Sequence, residues 1–133
     1  MTYLVDSDAV VDYLRGRQSA VSLLDSLVVN GLAISIITYG EVYEGVYYGR
    51  QPGNHEAAFR DFLEIVRVVG VSRAVARRFA RISGDLRSQG LLIPAADLLI
   101  AATALHHDLA LVTRNIRHFE RIPGLQIHTE GSP

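Results

Sequence analysis

Four polar residues stand at positions from which chemistry is done. Asp6 follows the apolar run Tyr3-Leu4-Val5. Glu41 and Asn115 each lie just past a strand-like segment, and Asp97 falls in the first turn of a predicted helix. Open α/β sheets bind ligands beyond the carboxyl ends of their strands. Asp97 is flanked by Ala95, Ala96, Leu98, Leu99, Ile100, Ala101 and Ala102, so its helix is apolar nearly all round and is expected to be buried. A buried acid needs a partner or a cation. All thirteen basic residues are arginine, and no lysine exists to supply one. Two carboxylates about 4 Å apart repel by roughly 4 kcal/mol at an effective dielectric near 20. A divalent ion relieves that repulsion. Oxygen ligands, with no cysteine and no evident histidine pair, favour Mg²⁺ or Mn²⁺ over zinc.

Each of the four also has a purely structural part open to it. Asp6 suits a helix N-cap. Glu41 completes a Thr-x-x-Glu capping box with Thr38. Asp97 complements the positive end of its helix, and Asn115 suits a turn. His106 and His107 are adjacent, point about 100° apart on a helix and cannot chelate together. They fit a helix end. His118 and His128 fall in or near the C-terminal loops and are assigned no role. Arg73, Arg77 and Arg81 form an i, i+4, i+8 row, read first as a solvated face and second as a contact for phosphate backbone.

The elements that must position these groups alternate. Strands are predicted at 3–5, 32–37, 68–71, 109–112 and 125–128. Helices are predicted at 9–15, 18–29, 38–48, 57–66, 72–88 and 94–107, with one turn at 116–119. Residues 49–54, with Pro52-Gly53, read as a loop, and the last few residues as a loose tail. The expected fold is a three-layer α/β/α domain over residues 1–133, with a central, mainly parallel sheet of four or five strands.

Length and composition agree with one globular domain. A chain of 133 residues, 49% apolar, buries roughly two-thirds of its unfolded surface. No disulfide or thiolate metal site is possible, because cysteine is absent. The longest apolar run is too short for a bilayer and no basic, apolar leader opens the chain, so a cytoplasmic protein is expected. The net charge of −1 neither demands nor excludes nucleic acid. The missing lysine excludes a P-loop and Schiff-base chemistry.

Four stretches together resemble the PIN-domain ribonucleases, and within them the VapC toxins of bacterial toxin–antitoxin pairs. They are Val5-Asp6-Ser7-Asp8, the run 34–41 (Ile-Ser-Ile-Ile-Thr-Tyr-Gly-Glu), the run 93–105 (Ile-Pro-Ala-Ala-Asp-Leu-Leu-Ile-Ala-Ala-Thr-Ala-Leu) and the run 111–125 (Leu-Val-Thr-Arg-Asn-Ile-Arg-His-Phe-Glu-Arg-Ile-Pro-Gly-Leu). The resemblance covers nearly the whole chain. It implies a Mg²⁺- or Mn²⁺-dependent endoribonuclease with Asp6, Glu41 and Asp97 as metal ligands. Asp8 and Thr113 would support them. The family's frequent fourth acid falls where this chain has Asn115, which adds no charge, so one metal ion is the expectation. The resemblance further implies an antitoxin that inserts a segment across the acidic groove, a homodimer, and transfer or ribosomal RNA as target. Tyr43, Tyr47 and Tyr48 are candidate interface residues.

Two rivals are retained. A strand followed by Asp-x-Asp also resembles haloacid-dehalogenase-type phosphatases, but those use a lysine that this chain lacks. A non-catalytic module that binds protein or RNA is the other, left open by Asn115.

Overall fold

The computed structural model describes residues 2–49 and 52–129, without the side chains of 52–54. In chain order it contains β1 (Tyr3–Val5), α1 (Ser7–Leu14), α2 (Gln18–Leu27), β2 (Leu32–Ser35), α3 (Ile36–Tyr48) and α4 (Pro52–Leu63). There follow β3 (Val66–Val69), α5 (Arg73–Ser88), α6 (Ala95–His106), β4 (Ala110–Val112), α7 (Ile116–Phe119) and β5 (Ile127–His128). A 3₁₀ turn over Val28–Asn30 ends at Gly31, whose φ of 92° a side chain would resist.

The five strands form one sheet in the order β3-β2-β1-β4-β5, every pair parallel. From β1 the chain winds outward through β2 to β3, then crosses back to β4 on the other side. The winding direction therefore reverses between β1 and β4. That reversal leaves a crevice past the strand ends, where an α/β sheet places its ligands.

Strand side chains alternate between two cores, as the two-residue period requires. Leu4, Ala33 and Leu111 pack with Leu86, Leu98, Ile100, Ala101 and Ala104 of α5 and α6. Val5, Ile34 and Val112 pack with Val10, Leu24, Phe59 and Phe62 from α1, α2 and α4. The sheet is covered on both faces, which explains its continuous apolar strands. Among the described residues no helix is long and apolar enough to cross a membrane.

The structure moves some predicted boundaries. The segment 49–54 is not all loop: α4 begins at Pro52 and ends at Leu63 rather than Val66. Proline suits a helix start because its missing N–H has no partner there. Burial of Phe59 and Phe62 holds the helix that follows. Consequently β3 starts at Val66, two residues earlier than expected. The remaining loop positions 50 and 51, and the tail 130–133, lie outside the described residues. The first helix likewise begins two residues early, at Ser7, because Asp6 caps it. The third begins at Ile36, because Ser35 rather than Thr38 is its N-cap, with Oγ accepting from the Ile37 N–H at 3.0 Å.

Phe59 is fully buried, with ring centroids 5.5 Å from Tyr43, 5.8 Å from Tyr39 and 6.5 Å from Phe62. Phe59→Ala is expected to cost about 3–5 kcal/mol in urea unfolding. A loss below about 1 kcal/mol would show that this core closes over the gap.

Candidate active site at the sheet switch point

Asp6 ends β1 and caps α1. Its backbone N–H donates to the Val112 carbonyl at 3.0 Å, which ties the ends of β1 and β4 together. Its Oδ1 accepts from the Ala9 N–H at 2.9 Å, and its Oδ2 accepts from the Thr113 hydroxyl. The cap and the candidate ligand are thus the same carboxylate. Only 4% of Asp6 is exposed. Burial pushes its pKa from 3.8 up to about 6, against the two hydrogen bonds, and the nearby charges of Asp8 and Asp97 push the same way. Neither hydrogen-bond donor is a cation, so nothing in this immediate set neutralises the anion.

Thr113 is buried at the first position after β4. While donating to Asp6, its Oγ1 accepts from the Asn115 backbone N–H at 2.9 Å. The loop after β4 is therefore built around the hydroxyl that holds Asp6.

On the α3 side, Ser7 Oγ lies 2.6 Å from Glu41 Oε1 and 3.0 Å from Thr38 Oγ1. A hydroxyl has one proton to donate. A carboxylate only accepts, so Ser7 donates to Glu41 and can accept from Thr38. The expected Thr38–Glu41 capping box does not form, because both side chains turn to Ser7 instead. Glu41 is exposed, one helical segment away from buried Asp6.

On the α6 side, Asp97 Oδ2 is 2.9 Å from Nδ1 of His118, and the Asn115 side-chain amide reaches the same nitrogen at 2.8 Å. His118, assigned no role from the sequence, is one residue of the candidate site that the sequence reading missed. The available signal was spacing: Asn115 and His118 are i, i+3 and share a face of a single helical turn. Ser7 was missed as well, with no signal beyond its place next to Asp6.

The structure thus brings Asp6, Asp97, Thr113, Asn115 and His118 into one region, with Ser7 linking Glu41 to its edge. Asp8 is exposed in the first turn of α1 and acts on Asp6 through charge alone. Arg73, Arg77 and Arg81 are exposed on α5 and take part in none of the site's hydrogen bonds. Among the described residues, no group of three or more His, Cys, Asp or Glu side chains is gathered closely enough to hold a metal ion by itself. Mg²⁺ commonly meets only one or two protein carboxylates, with water and phosphate completing its shell. The carboxylate oxygens of Asp6 and of Asp97, whose charge acts on Asp6, suit such a hard cation, and the resisted ionisation of Asp6 is what a cation would reverse.

Further along α1 and α3, and bordered also by α4, lies a groove of about 460 Å³. Val11, Leu14, Arg15, Val42, Val46 and His55 line it.

A family model for the PIN domain matches residues 3–125. The chain is 35% identical to Ribonuclease VapC1 of Methanocaldococcus jannaschii, over 94% of this chain and 85% of that protein. It is 37% identical to Ribonuclease VapC19 of Mycobacterium tuberculosis, over 92% and 96%. In structure it is similar to a chain of the VapBC2 complex of Rickettsia felis, solved bound to a promoter DNA fragment. That match has a TM-score of 0.90 at 28% identity and covers 97% of this chain and 98% of that one.

The raised pKa of Asp6 makes stability depend on pH. Its folded value, about 6, exceeds its ordinary 3.8, so the favourable contribution is complete below pH 3.8 and is lost as pH rises through 6. The loss is roughly 3 kcal/mol at about 1.4 kcal/mol per pH unit. Asp6→Asn keeps an oxygen for Ala9 but loses the acceptor for Thr113 at every pH, so its stability relative to the wild type is expected to be roughly 2–3 kcal/mol more favourable at pH 7.5 than near pH 4 in the metal-free protein. Urea unfolding in chelator at the two pH values measures it, and equal effects at both would refute the burial argument.

Proposed function

The chain belongs to the PIN-domain family, and from that premise we propose that it is a VapC-type endoribonuclease that hydrolyses RNA phosphodiesters with a bound Mg²⁺ or Mn²⁺. The observation that carries the metal is Asp6: a buried carboxylate whose ionisation is opposed by burial and by Asp97, and whose donors are a hydroxyl and an amide. Asp6 and Asp97 would hold the ion. When bound, it makes a water more acidic and offsets charge developing on the scissile phosphate. Thr113 and Ala9 fix the Asp6 carboxylate in one orientation. Glu41, steadied by Ser7, completes the ligand set or orients the attacking water. Asn115 contributes no charge, which favours one ion over two. The phosphatase reading fails on the missing lysine and on the family match.

As toxin of a pair, the chain would be held by an antitoxin. The mainly apolar groove along α1 and α3, the two helices that also carry Ser7 and Glu41, is the surface we assign to the inhibitory segment. Apolar side chains would fill the groove, and a cationic one would reach the carboxylates. For the homodimer, Tyr47 and Tyr48 are the exposed members of the tyrosine series on α3, whereas Tyr43 is half-buried against Phe59.

Purified protein is expected to cleave a mixed RNA pool with Mg²⁺ or Mn²⁺ and to stop in chelator. Asp6→Ala and Asp97→Ala should lower the rate by on the order of a hundredfold or more. Equal cleavage by these variants would place the activity elsewhere. For the arginine row, Arg77→Ala or Arg81→Ala should reduce the salt-dependence slope of RNA binding by about 0.7–0.9. An unchanged slope would leave the row as a solvated face.

A further inference from the structure

The hydrogen bonds on the α6 side of the site contain a conflict of proton positions. His118 Nδ1 lies 2.9 Å from Asp97 Oδ2 and 2.8 Å from the Asn115 amide nitrogen. One ring nitrogen cannot donate to the carboxylate and accept from an amide N–H in the same tautomer. An ionised carboxylate oxygen only accepts, so Nδ1 carries the proton. The end of the Asn115 amide that belongs against Nδ1–H is then its oxygen, since the two ends of an amide are interchangeable in outline.

That assignment completes a chain of contacts between the two acids of the candidate site, Asp6 buried and Asp97 half-buried. Asp97 accepts from His118, and His118 meets the Asn115 side chain. The backbone of Asn115 donates to Thr113, which donates to Asp6. Among the described residues that form this series of contacts, His118 is the one that hydrogen-bonds Asp97. Its own side chain is 39% exposed and that of Asp97 26%, so the pair sits at the mouth of the crevice.

We propose that His118 is a positioning residue for the metal-binding carboxylate Asp97: its Nδ1–H pins Oδ2, so that the carboxylate meets a divalent cation in one orientation. This rests on the metal-dependent reading given above. It also gives Asn115 a reason. An acid at that position would compete with Asp97 for the same N–H on equal terms, whereas a neutral amide oxygen is the weaker acceptor and leaves most of the shared hydrogen bond to the Asp97 carboxylate. Hydrogen bonds to a ligating group of this kind typically matter 10- to 100-fold in metal affinity.

The test is direct Mn²⁺ titration of the full chain, reading free Mn²⁺ by electron paramagnetic resonance, with melting temperature measured alongside. Asp97→Ala should abolish specific binding. His118→Leu should weaken Mn²⁺ affinity by about 10- to 100-fold. His118→Asn places an N–H near the position of Nδ1–H and should restore most of the affinity. His118→Gln places its amide nearer Nε2 and should not. The Asn and Gln variants decide the matter even if the Leu variant does not fold. Wild-type Mn²⁺ affinity in His118→Leu with a lowered melting temperature would make the contact a structural tie between α6 and α7 and overturn the proposal. So would equal affinities for the Asn and Gln variants. Unchanged binding in Asp97→Ala would instead remove the metal site itself, a failure distinguishable from the first.

Discussion

A carboxylate driven into the end of a parallel sheet is the constraint on which this molecule turns. Asp6 is nearly inaccessible, yet it sits where β1, β4 and the first turn of α1 meet. Desolvation disfavours its anion more than its two hydrogen bonds favour it. A carboxylate placed this way costs stability at neutral pH. Strain of that sort is tolerated where function requires it. In the function proposed above, that requirement is affinity for a positive charge, which a cation from solution would supply in place of a lysine the chain does not have.

Around that acid the fold acts as a rigid frame. β1 is central, with a strand on each side, and its register against β4 sets Val5 opposite Val112. The next residues, Asp6 and Thr113, therefore leave the sheet side by side. The two cores lock this arrangement from both faces, because adjacent strand residues point into different layers. α6 brings Asp97 from the face carrying Leu4 and Leu111. α3 brings Glu41 along the other side of the crevice, through Ser7. No single element owns the site, which is why substitutions in the cores should reach it only through global stability.

Several local features serve twice. Asp6 is the cap of α1 and also the buried acid of the candidate site. The structure shows the capping role, and the proposed ligand role is compatible with it. A carboxylate has two oxygens, and here the amide of Ala9 takes one and Thr113 the other. Glu41 went the other way. Its capping-box geometry was plausible by spacing alone, but Ser35 caps the helix three residues earlier, and both Thr38 and Glu41 turn to Ser7.

The sequence by itself determined the alternation of strands and helices, the two-sided burial of the sheet and the identity of the acids at strand ends. Those follow from periodicity and from where polar residues interrupt apolar runs, both local properties of a chain. The buried character of α6 was legible for the same reason: nine of its twelve residues are apolar and a tenth is threonine, a composition that suits a helix with a core around most of its sides. What tertiary structure alone decided is who touches whom across long stretches of chain. Thr113 and Asp6 are 107 residues apart, Ser7 and Glu41 34, and Asp97 and His118 21. Spacing cannot reveal such contacts, because they depend on strand order and register. Those are set by the packing of both cores at once, and not by any segment's own preference.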